Sequence, residues 1–228
     1  MTKRAVVLIG SPKGLKGSNS AEHARVLMRG TETLDWAVDW IHLHEAVATE
    51  DGIWNLLAKI ETSALILFVA PLYVDGLPAP AIQAFERIAE ARRPGGAADG
   101  VPRFAALIHC GFIEPVHNAT AIETCRQIAE ACRLEWAGAL ALGGGGMSSR
   151  RATSVLAEAG VALATGSPIS ERVRQRAERP AMPRWLYILG GNRMWRSVAM
   201  KRFKNSLSDL RATPYVDSDE PELKPRAS

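Results

Sequence analysis

Residues Ala5 to Ser20 read AVVLIGSPKGLKGSNS, and this stretch decides the expected fold. The unbroken apolar run from Ala5 to Ile9 is typical of a parallel β-strand that is buried on both faces. Gly10 ends the run, and a loop of small, hydroxylated and cationic residues leads into a helix that we expect to begin near Asn19. Because the first turn of a helix has unpaired N–H groups and partial positive charge, this loop suits a bound anion.

Two common nucleotide-binding patterns are absent from this loop. A Walker loop needs Gly-Lys followed by Ser or Thr, whereas the order here is Lys16-Gly17-Ser18. The glycines at positions 10, 14 and 17 also lack the Gly-x-Gly-x-x-Gly spacing. Hydroxyls, backbone N–H groups and lysines remain as donors, which favours a terminal phosphomonoester as the ligand. The alternative is an ordinary helix start that is capped by Ser18 or Asn19.

The composition indicates a soluble globular protein with one main α/β domain. The 228 residues, of which 47% are hydrophobic, are enough for a full core. No apolar stretch approaches the ~20 residues of a membrane span, and no signal-peptide pattern opens the sequence. Three cysteines without a Cys-x-x-Cys pair argue against a disulfide framework or a zinc site, so we expect a cytoplasmic location and no metal. A net charge of +4 does not by itself indicate nucleic-acid binding.

Apolar runs alternate with helical patterns along the first two thirds of the chain. This alternation predicts an α/β fold, with a parallel sheet covered by helices on both faces. Ligands of such sheets bind beyond the carboxyl ends of the strands. The predicted strands are Ala5–Ile9, Trp36–His42, Ala64–Ala70, Phe104–His109 and Trp136–Leu142, and the predicted helices are Ala21–Arg29, Ile53–Ile60, Pro80–Arg92 and Ala119–Arg133.

Three further loops are expected at the carboxyl edge of this sheet. The second loop, Pro71–Pro78, contains two prolines, a glycine and Tyr73, which suits a planar heterocycle, and an ordinary strand–helix turn is an equal alternative. The third loop, His109–Asn118, is long for a connection of this kind, and long loops are often functional. The fourth, Gly143–Met147, contains four glycines that allow close backbone approach or a mobile lid.

The first two loops resemble those of a known family. Gly-Ser-Pro-Lys, then Ser-Asn-Ser, then Pro-Leu-Tyr-x-Asp-x-Leu-Pro is similar to the NAD(P)H-dependent FMN reductase branch of the flavodoxin-like superfamily, over roughly residues 4–165. The resemblance implies a three-layer α/β/α sandwich, a five-stranded sheet in the order 2-1-3-4-5, bound FMN and a homodimer. Lys13 stands where relatives often have arginine, and neither a cysteine cluster nor a Tyr-Lys-Gly segment near the fourth loop is present.

The same resemblance implies the cofactor-binding residues. Ser11, Lys13, Ser18, Asn19 and Ser20 would hold the FMN phosphate. The ring would be lined by Pro71, Leu72, Tyr73, Val74, Asp75 and Gly76, and closed by Cys110, Gly111 and Phe112.

The resemblance further implies an oxidoreductase that passes hydride from NADH or NADPH to the flavin, and then electrons to a small-molecule acceptor. Quinones, nitroaromatics, azo dyes, metal ions and free flavin all remain open as acceptors. Because the cofactor supplies this chemistry, we expect no catalytic acid, base or nucleophile from the protein. A cationic partner near flavin N1 would come from Arg150 or Arg151. An FMN-binding or electron-transfer module without reductase activity is the alternative, although a pI near 9.1 disfavours an acidic electron carrier.

Other chemistry-bearing residues favour structural interpretations. His109 and Cys110 are adjacent on a strand end and point to opposite faces, which disfavours a Cys–His hydrolase. His42 and His44 have no third ligand in view, which disfavours a metal site.

The C-terminal third is expected to extend the domain of residues 1–166. We predict a helical extension over residues 167–211, with helices at Ile169–Glu178 and Met194–Leu210, and a disordered tail over residues 212–228. The second helix is predicted to be amphipathic and basic. It would pack on the domain or on a second subunit, or else attach to a partner or to an anionic membrane surface.

Overall fold

The computed structural model describes residues 2–32, 34–93, 101–144, 149–180 and 182–202. Five parallel strands form one sheet in the order β2-β1-β3-β4-β5, which confirms the predicted topology. Ile9 lies opposite both His42 and Val69, and His109 lies opposite both Pro71 and Leu142. The strands therefore end together at one edge. They are β1 (Lys3–Ile9), β2 (Trp36–His42), β3 (Leu65–Pro71), β4 (Arg103–His109) and β5 (Glu135–Leu142).

Helices connect the strands. The four helices predicted between the strands are confirmed with small shifts at their ends, whereas α2 and α6 are absent from the prediction. Part of the predicted third loop is a short 3₁₀ helix, Pro115–Asn118. The helices are α1 (Asn19–Glu32), α2 (Leu43–Ala46), α3 (Glu50–Glu61), α4 (Ala79–Ala91), α5 (Ala119–Ala131), α6 (Arg150–Ala164), α7 (Glu171–Ala177) and α8 (Arg184–Arg202).

The sheet has a separate apolar core on each face. Alternation along β1 places Val6 and Leu8 in one core and Val7 and Ile9 in the other. Helices α3, α4 and α5 cover the first core, and α1, α6 and α7 cover the second. Every side chain of β1 from Ala5 to Ile9 is fully buried, as the unbroken apolar run predicts. The three-layer α/β/α architecture is confirmed.

Two glycines let α1 and α6 approach closely. A methyl group added at Gly160 would lie 1.9 Å from the carbonyl oxygen of Leu27, and one added at Gly30 would lie 2.7 Å from the backbone of Gly160. Both distances are far below van der Waals contact, so the two backbones touch only because neither residue has a side chain. This contact holds α1 against α6 on the same face of the sheet.

The chain divides into two compact units, residues 1–182 and 183–228. Helix α7 buries Val173 and Ala177 in the second core, so the first unit extends beyond the predicted boundary at residue 166. In the second unit, α8 begins at Arg184, ten residues before the predicted helix start at Met194, and large apolar side chains such as Trp185 and Trp195 are exposed. The rest of the predicted helix and the predicted tail lie outside the described residues.

Within the described ranges, no helix combines the length and the apolar character needed to cross a membrane. Helix α8 has 19 residues, but five of them are arginine or lysine.

Candidate functional site at the carboxyl edge of the sheet

Ser18 caps the helix that follows the first loop. Its hydroxyl accepts a hydrogen bond from the Ala21 N–H at 3.1 Å and donates one to the Gly14 carbonyl at 2.6 Å. The side chain is buried and is used on both sides. This is the ordinary cap that the sequence left open as an alternative, and a contact between the Ser18 hydroxyl and a phosphate stays a prediction.

The backbone of the first loop is nevertheless rich in available donors. Within the described part of the chain, the N–H groups of residues 15–20 have no hydrogen-bond partner. Gly14 and Gly17 have φ angles of +71° and +76°, a conformation that glycine adopts without strain. The side chains of Lys13 and Lys16 are exposed beside these donors. The loop thus offers N–H groups, a helix N-terminus and two cations to an anion.

A buried histidine at the end of β2 contacts the backbone of the same loop. Nε2 of His42, at the end of β2, hydrogen-bonds to the Ser11 carbonyl at 3.0 Å, and a methyl group added at Gly14 would lie 3.5 Å from the His42 ring. The Ser11 hydroxyl accepts a bond from the Lys13 N–H at 3.3 Å, which tightens the turn. The sequence interpretation did not give His42 this role. Its position at the end of a strand next to β1 was the available signal.

A second buried contact joins the first loop to the third. Ser20 is fully buried, and its hydroxyl shares a 2.8 Å hydrogen bond with Nε2 of His109. The His23 ring meets His109 edge-on, with ring centroids 5.3 Å apart. Burial, and secondarily His23, lowers the pKa of His109 from its ordinary 6.5 to about 3, so the ring stays neutral at physiological pH. The Ser20 hydroxyl is thus already bonded to His109, whereas its N–H remains available, and a contact between Ser20 and a phosphate stays a prediction.

The second loop folds into a tight hairpin at its tip. Tyr73 and Gly76 exchange two backbone hydrogen bonds of 3.0 and 2.9 Å. Val74 and Asp75 between them have φ angles of +46° and +58°. Positive φ at both central residues is the pattern of a type I′ turn, and it strains a β-branched residue such as Val74. The Val74 side chain is fully exposed and that of Tyr73 nearly half exposed, so the tip presents apolar surface.

The remaining predicted residues of the second loop attach it to the sheet. Pro71 is the last residue of β3, and the Leu72 N–H donates to the His109 carbonyl at 2.8 Å. These contacts bring the second loop next to the third at the sheet edge, as the sequence predicts.

Asn118 organises the third loop from inside. It is fully buried, and Nδ2 donates to the carbonyls of Pro115 and Leu142 at 3.1 Å each. Nδ2 also lies 3.6 Å from the Cys110 sulfur, which itself contacts the Phe112 carbonyl at 3.6 Å. Burial raises the pKa of the Cys110 thiol, which argues against a nucleophile. The sequence analysis names Asn118 only as the last residue of the third loop and predicts no role for it.

Gly111 and Phe112 form the outer part of this loop. Phe112 is about half exposed and contacts His117, with the two rings tilted by 39° and their centroids 4.4 Å apart. No atom lies within 4 Å of the position a Gly111 side chain would take, so the space beside the backbone is open. These two residues therefore present surface at the edge, whereas the Cys110 side chain is turned into the loop.

The fourth loop is described only in part. The Gly144 N–H donates to the Phe112 carbonyl at 2.6 Å, so its first residues run against the third loop. Residues 145–148 lie outside the described residues. Arg151, one of two predicted cationic partners, donates to the Pro180 carbonyl at 3.1 Å, and Arg150 is exposed at the start of α6.

The histidines and cysteines of the described residues do not form a metal site. No group of three or more His, Cys, Asp or Glu side chains among them could hold a metal ion. His42 and His44 stack on each other, with centroids 5.3 Å apart. Cys125 is buried in the first core, where burial raises its pKa to about 12.

A separate cavity of about 430 Å³ lies beside the third loop. It is lined by Pro115 and Val116 of that loop, by Ile122 of α5, and by Arg174 of α7. None of the predicted cofactor-binding residues lines it.

The sheet order, the layers and the loops at the carboxyl edge define a flavodoxin-like fold, and comparison with solved structures agrees. The chain is similar to an FMN-dependent NADH-azoreductase from Bacillus anthracis str. Ames Ancestor, with a TM-score of 0.55, 13% identity, and coverage of 71% of this chain and 99% of that one. It is also similar to an NAD(P)H:quinone oxidoreductase from Methanothermobacter marburgensis, with a TM-score of 0.55, 15% identity, and coverage of 72% of this chain and 96% of that one. A flavodoxin, WrbA-like protein from Agrobacterium tumefaciens is similar with a TM-score of 0.53, 15% identity, and coverage of 76% of this chain and 99% of that one.

These similarities establish the fold. No protein-family model matches the sequence, and no curated protein matches it at a significant level.

Proposed function

We propose that this protein is an FMN-dependent oxidoreductase that accepts hydride from NADH or NADPH and passes electrons to a small-molecule acceptor. The observation that carries the proposal is the arrangement of two different surfaces at one sheet edge. A loop with unpaired N–H donors lies at the end of β1, and a hairpin with exposed apolar side chains lies at the end of β3. FMN has a phosphate at one end and a flat apolar ring system at the other, and it fits both surfaces.

The phosphate end of the proposed site meets the chemical requirement of a dianion. The N–H groups of residues 15–20 supply several donors, and the N-terminus of α1 adds favourable partial charge. Lys13 and Lys16 add full charges, and the Asn19 side chain is exposed next to them. Hydrogen bonds to charged groups contribute more than neutral ones, so a phosphate gains most from this loop.

The ring end is suited to a planar ligand. Tyr73, Val74 and Phe112 present apolar surface, and Gly111 leaves room for close approach of a ring to backbone. When bound, FMN supplies hydride acceptance from a nicotinamide and electron transfer onward. The protein's part is to orient the ring and exclude water from one face, which requires no acid–base pair.

Two of the similar solved structures support the acceptor class, since one is an FMN-dependent NADH-azoreductase and the other an NAD(P)H:quinone oxidoreductase. We propose the same class of acceptor here, because the exposed hairpin leaves one side of the ring position open. We also propose that the protein is cytoplasmic and forms a homodimer. The exposed side chains of Tyr73, Phe112 and Val116 at this edge favour contact with a second subunit. Light scattering of the purified protein tests the oligomeric state.

Anaerobic reduction tests the proposed function. The purified protein is loaded with FMN, freed of excess, and mixed with NADH or NADPH while the visible flavin absorbance is followed. We expect one of the two nucleotides to bleach the absorbance, and a quinone or an azo dye to restore it. Bound FMN that neither nucleotide bleaches would favour a binding or electron-transfer module. A protein that does not retain FMN would contradict the proposal.

A further inference from the structure

One buried residue contacts all three loops of the proposed cofactor site. The His109 side chain bonds to Ser20 behind the first loop, its carbonyl accepts from Leu72 of the second loop, and the chain then enters the third loop at Cys110. We propose that His109 is a positioning residue, which fixes the first turn of α1 relative to the ring-binding loops so that both ends of FMN are held in register. This inference rests on the proposed function.

The geometry gives His109 this role through Ser20. Ser20 lies in the first turn of α1, where its backbone N–H is among the available donors, while its hydroxyl is bonded to His109 at 2.8 Å. The backbone donor thus belongs to a residue whose side chain is fixed to the end of β4. A shift of the first turn would move the phosphate donors away from the hairpin. His109 also stays uncharged, because its pKa is far below neutrality.

A purely structural role explains the contact poorly. Apart from His23, the core on this face is apolar, and a buried neutral hydrogen bond adds only modestly to the free energy of unfolding. Replacing both partners of such a pair by apolar groups of similar size is nearly neutral. If the contact served stability alone, an apolar pair would replace it without loss of ligand binding. The two roles therefore predict different results.

The test compares affinity for FMN with affinity for riboflavin, which lacks the phosphate. Four variants are measured: Ser20→Ala, His109→Leu, the double variant, and His109→Gln, whose amide nitrogen takes the place of Nε2. Ser63→Ala is the matched control, because Ser63 is another buried serine whose hydroxyl donates to a nearby carbonyl, of Ile60 at 2.8 Å, away from the carboxyl edge. Thermal melts confirm that each variant is folded.

A positioning role predicts a loss specific to the phosphate. We expect Ser20→Ala, His109→Leu and the double variant each to lower the FMN-to-riboflavin affinity ratio about tenfold, as expected for losing one favourable contact to a charged group. The double variant should retain near wild-type stability, and His109→Gln should restore most of the ratio. Ser63→Ala should leave the ratio unchanged.

Two outcomes would overturn the inference, and they can be distinguished. If the wild type binds FMN and the folded double variant keeps the wild-type ratio, the positioning role is wrong while the proposed function stands. If the wild type binds neither flavin, the proposed function fails, and the inference fails with it.

Discussion

The first loop and the hairpin of the second loop lie at the same sheet edge but are held in different ways. Buried side chains support the first loop at three points: His42 bonds to Ser11, Ser18 caps α1, and Ser20 bonds to His109. The hairpin tip is held by the two backbone bonds between Tyr73 and Gly76. Its Val74 side chain is fully exposed, in a left-handed conformation.

The two ends of one ligand need different kinds of binding surface. A phosphate needs donors fixed in advance, because each donor that must be ordered on binding costs conformational entropy. A flat ring needs apolar area, and exposed side chains at a strained turn supply it. We therefore describe the first loop as the preformed end and the hairpin as the adaptable end of the site.

The largest effect is expected at the far end of α1. Gly160→Ala places a methyl group 1.9 Å from the Leu27 carbonyl oxygen, so α1 and α6 must move apart. We expect a loss of about 3 kcal/mol or more in the free energy of unfolding, since overpacking against backbone leaves no side chain to rearrange. Urea denaturation followed by circular dichroism measures it.

The control is the same substitution in an open helix. Gly191→Ala in α8 has no atom within 4 Å of the new methyl group, and alanine favours helix. It should be neutral or slightly stabilising. Equal losses in the free energy of unfolding from both substitutions would refute the argument that α1 and α6 are packed backbone to backbone.

A negative charge at the preformed end should separate phosphate from ring binding. Ser18→Asp retains a side chain that caps helices well but brings a carboxylate to the phosphate donors. We expect FMN affinity to fall at least about tenfold, through like-charge repulsion in a partly buried site, with little change for riboflavin. Fluorescence titrations of both flavins check this. Ser18→Asn, which caps without charge, is the control, and an equal loss there would remove the electrostatic reason.

Acid should weaken the fold through His109. Its folded-state pKa is about 3 against an ordinary 6.5, so between these values the unfolded chain binds a proton that the folded protein does not. The free energy of unfolding should therefore fall as pH is lowered from about 6.5 towards 3, by up to about 1.4 kcal/mol per pH unit from this group. Denaturation at several pH values compares the wild type with His109→Gln, which lacks the titrating ring. Parallel pH profiles would show that His109 is not the source.

The smallest effect is expected at the adaptable end. Val74→Gly removes a β-branched side chain from a φ of +46° and should raise the free energy of unfolding by up to about 1 kcal/mol, after the entropy cost of glycine. Val161→Gly, at an exposed position of α6, should instead lower it, because glycine is a poor helix former. Thermal melts compare the two. Destabilisation at both positions would contradict strain in the hairpin.

The sequence predicts the sheet well because buried parallel strands have a simple signature. Apolar runs such as that in β1 need no tertiary information, and five of them in alternation with helical patterns imply a parallel sheet. The strand order 2-1-3-4-5 is implied only by the family resemblance of the first two loops. Helix α6 is absent from the prediction although Val155, Leu156, Ala159 and Leu163 have helical spacing. Helix α2, with four residues, is too short to show a period.

The site was predicted as a set of loops but not as a set of contacts. The alternation of strands and helices predicts that the strands end at one edge of the sheet, and so that the loops meet there. The Ser18 cap is an alternative that the sequence offers, because Ser18 bonds to residues only three and four positions away. The sequence does not indicate that the Ser20 hydroxyl bonds to His109, or that His42 supports the first loop, because these pairings join residues far apart in the sequence. The positive φ angle of Val74 likewise arises only in the folded turn and could not be predicted from the sequence.

Parallel titrations of the purified protein with FMN and with riboflavin decide whether the first loop binds a phosphate. We expect the preformed loop to give FMN an affinity at least about tenfold higher than that of riboflavin, because the two ligands differ only in the phosphate. We also expect both flavins to saturate one site per chain, since they share the ring-binding hairpin. Equal affinities for the two flavins, or no binding of FMN, would contradict the account.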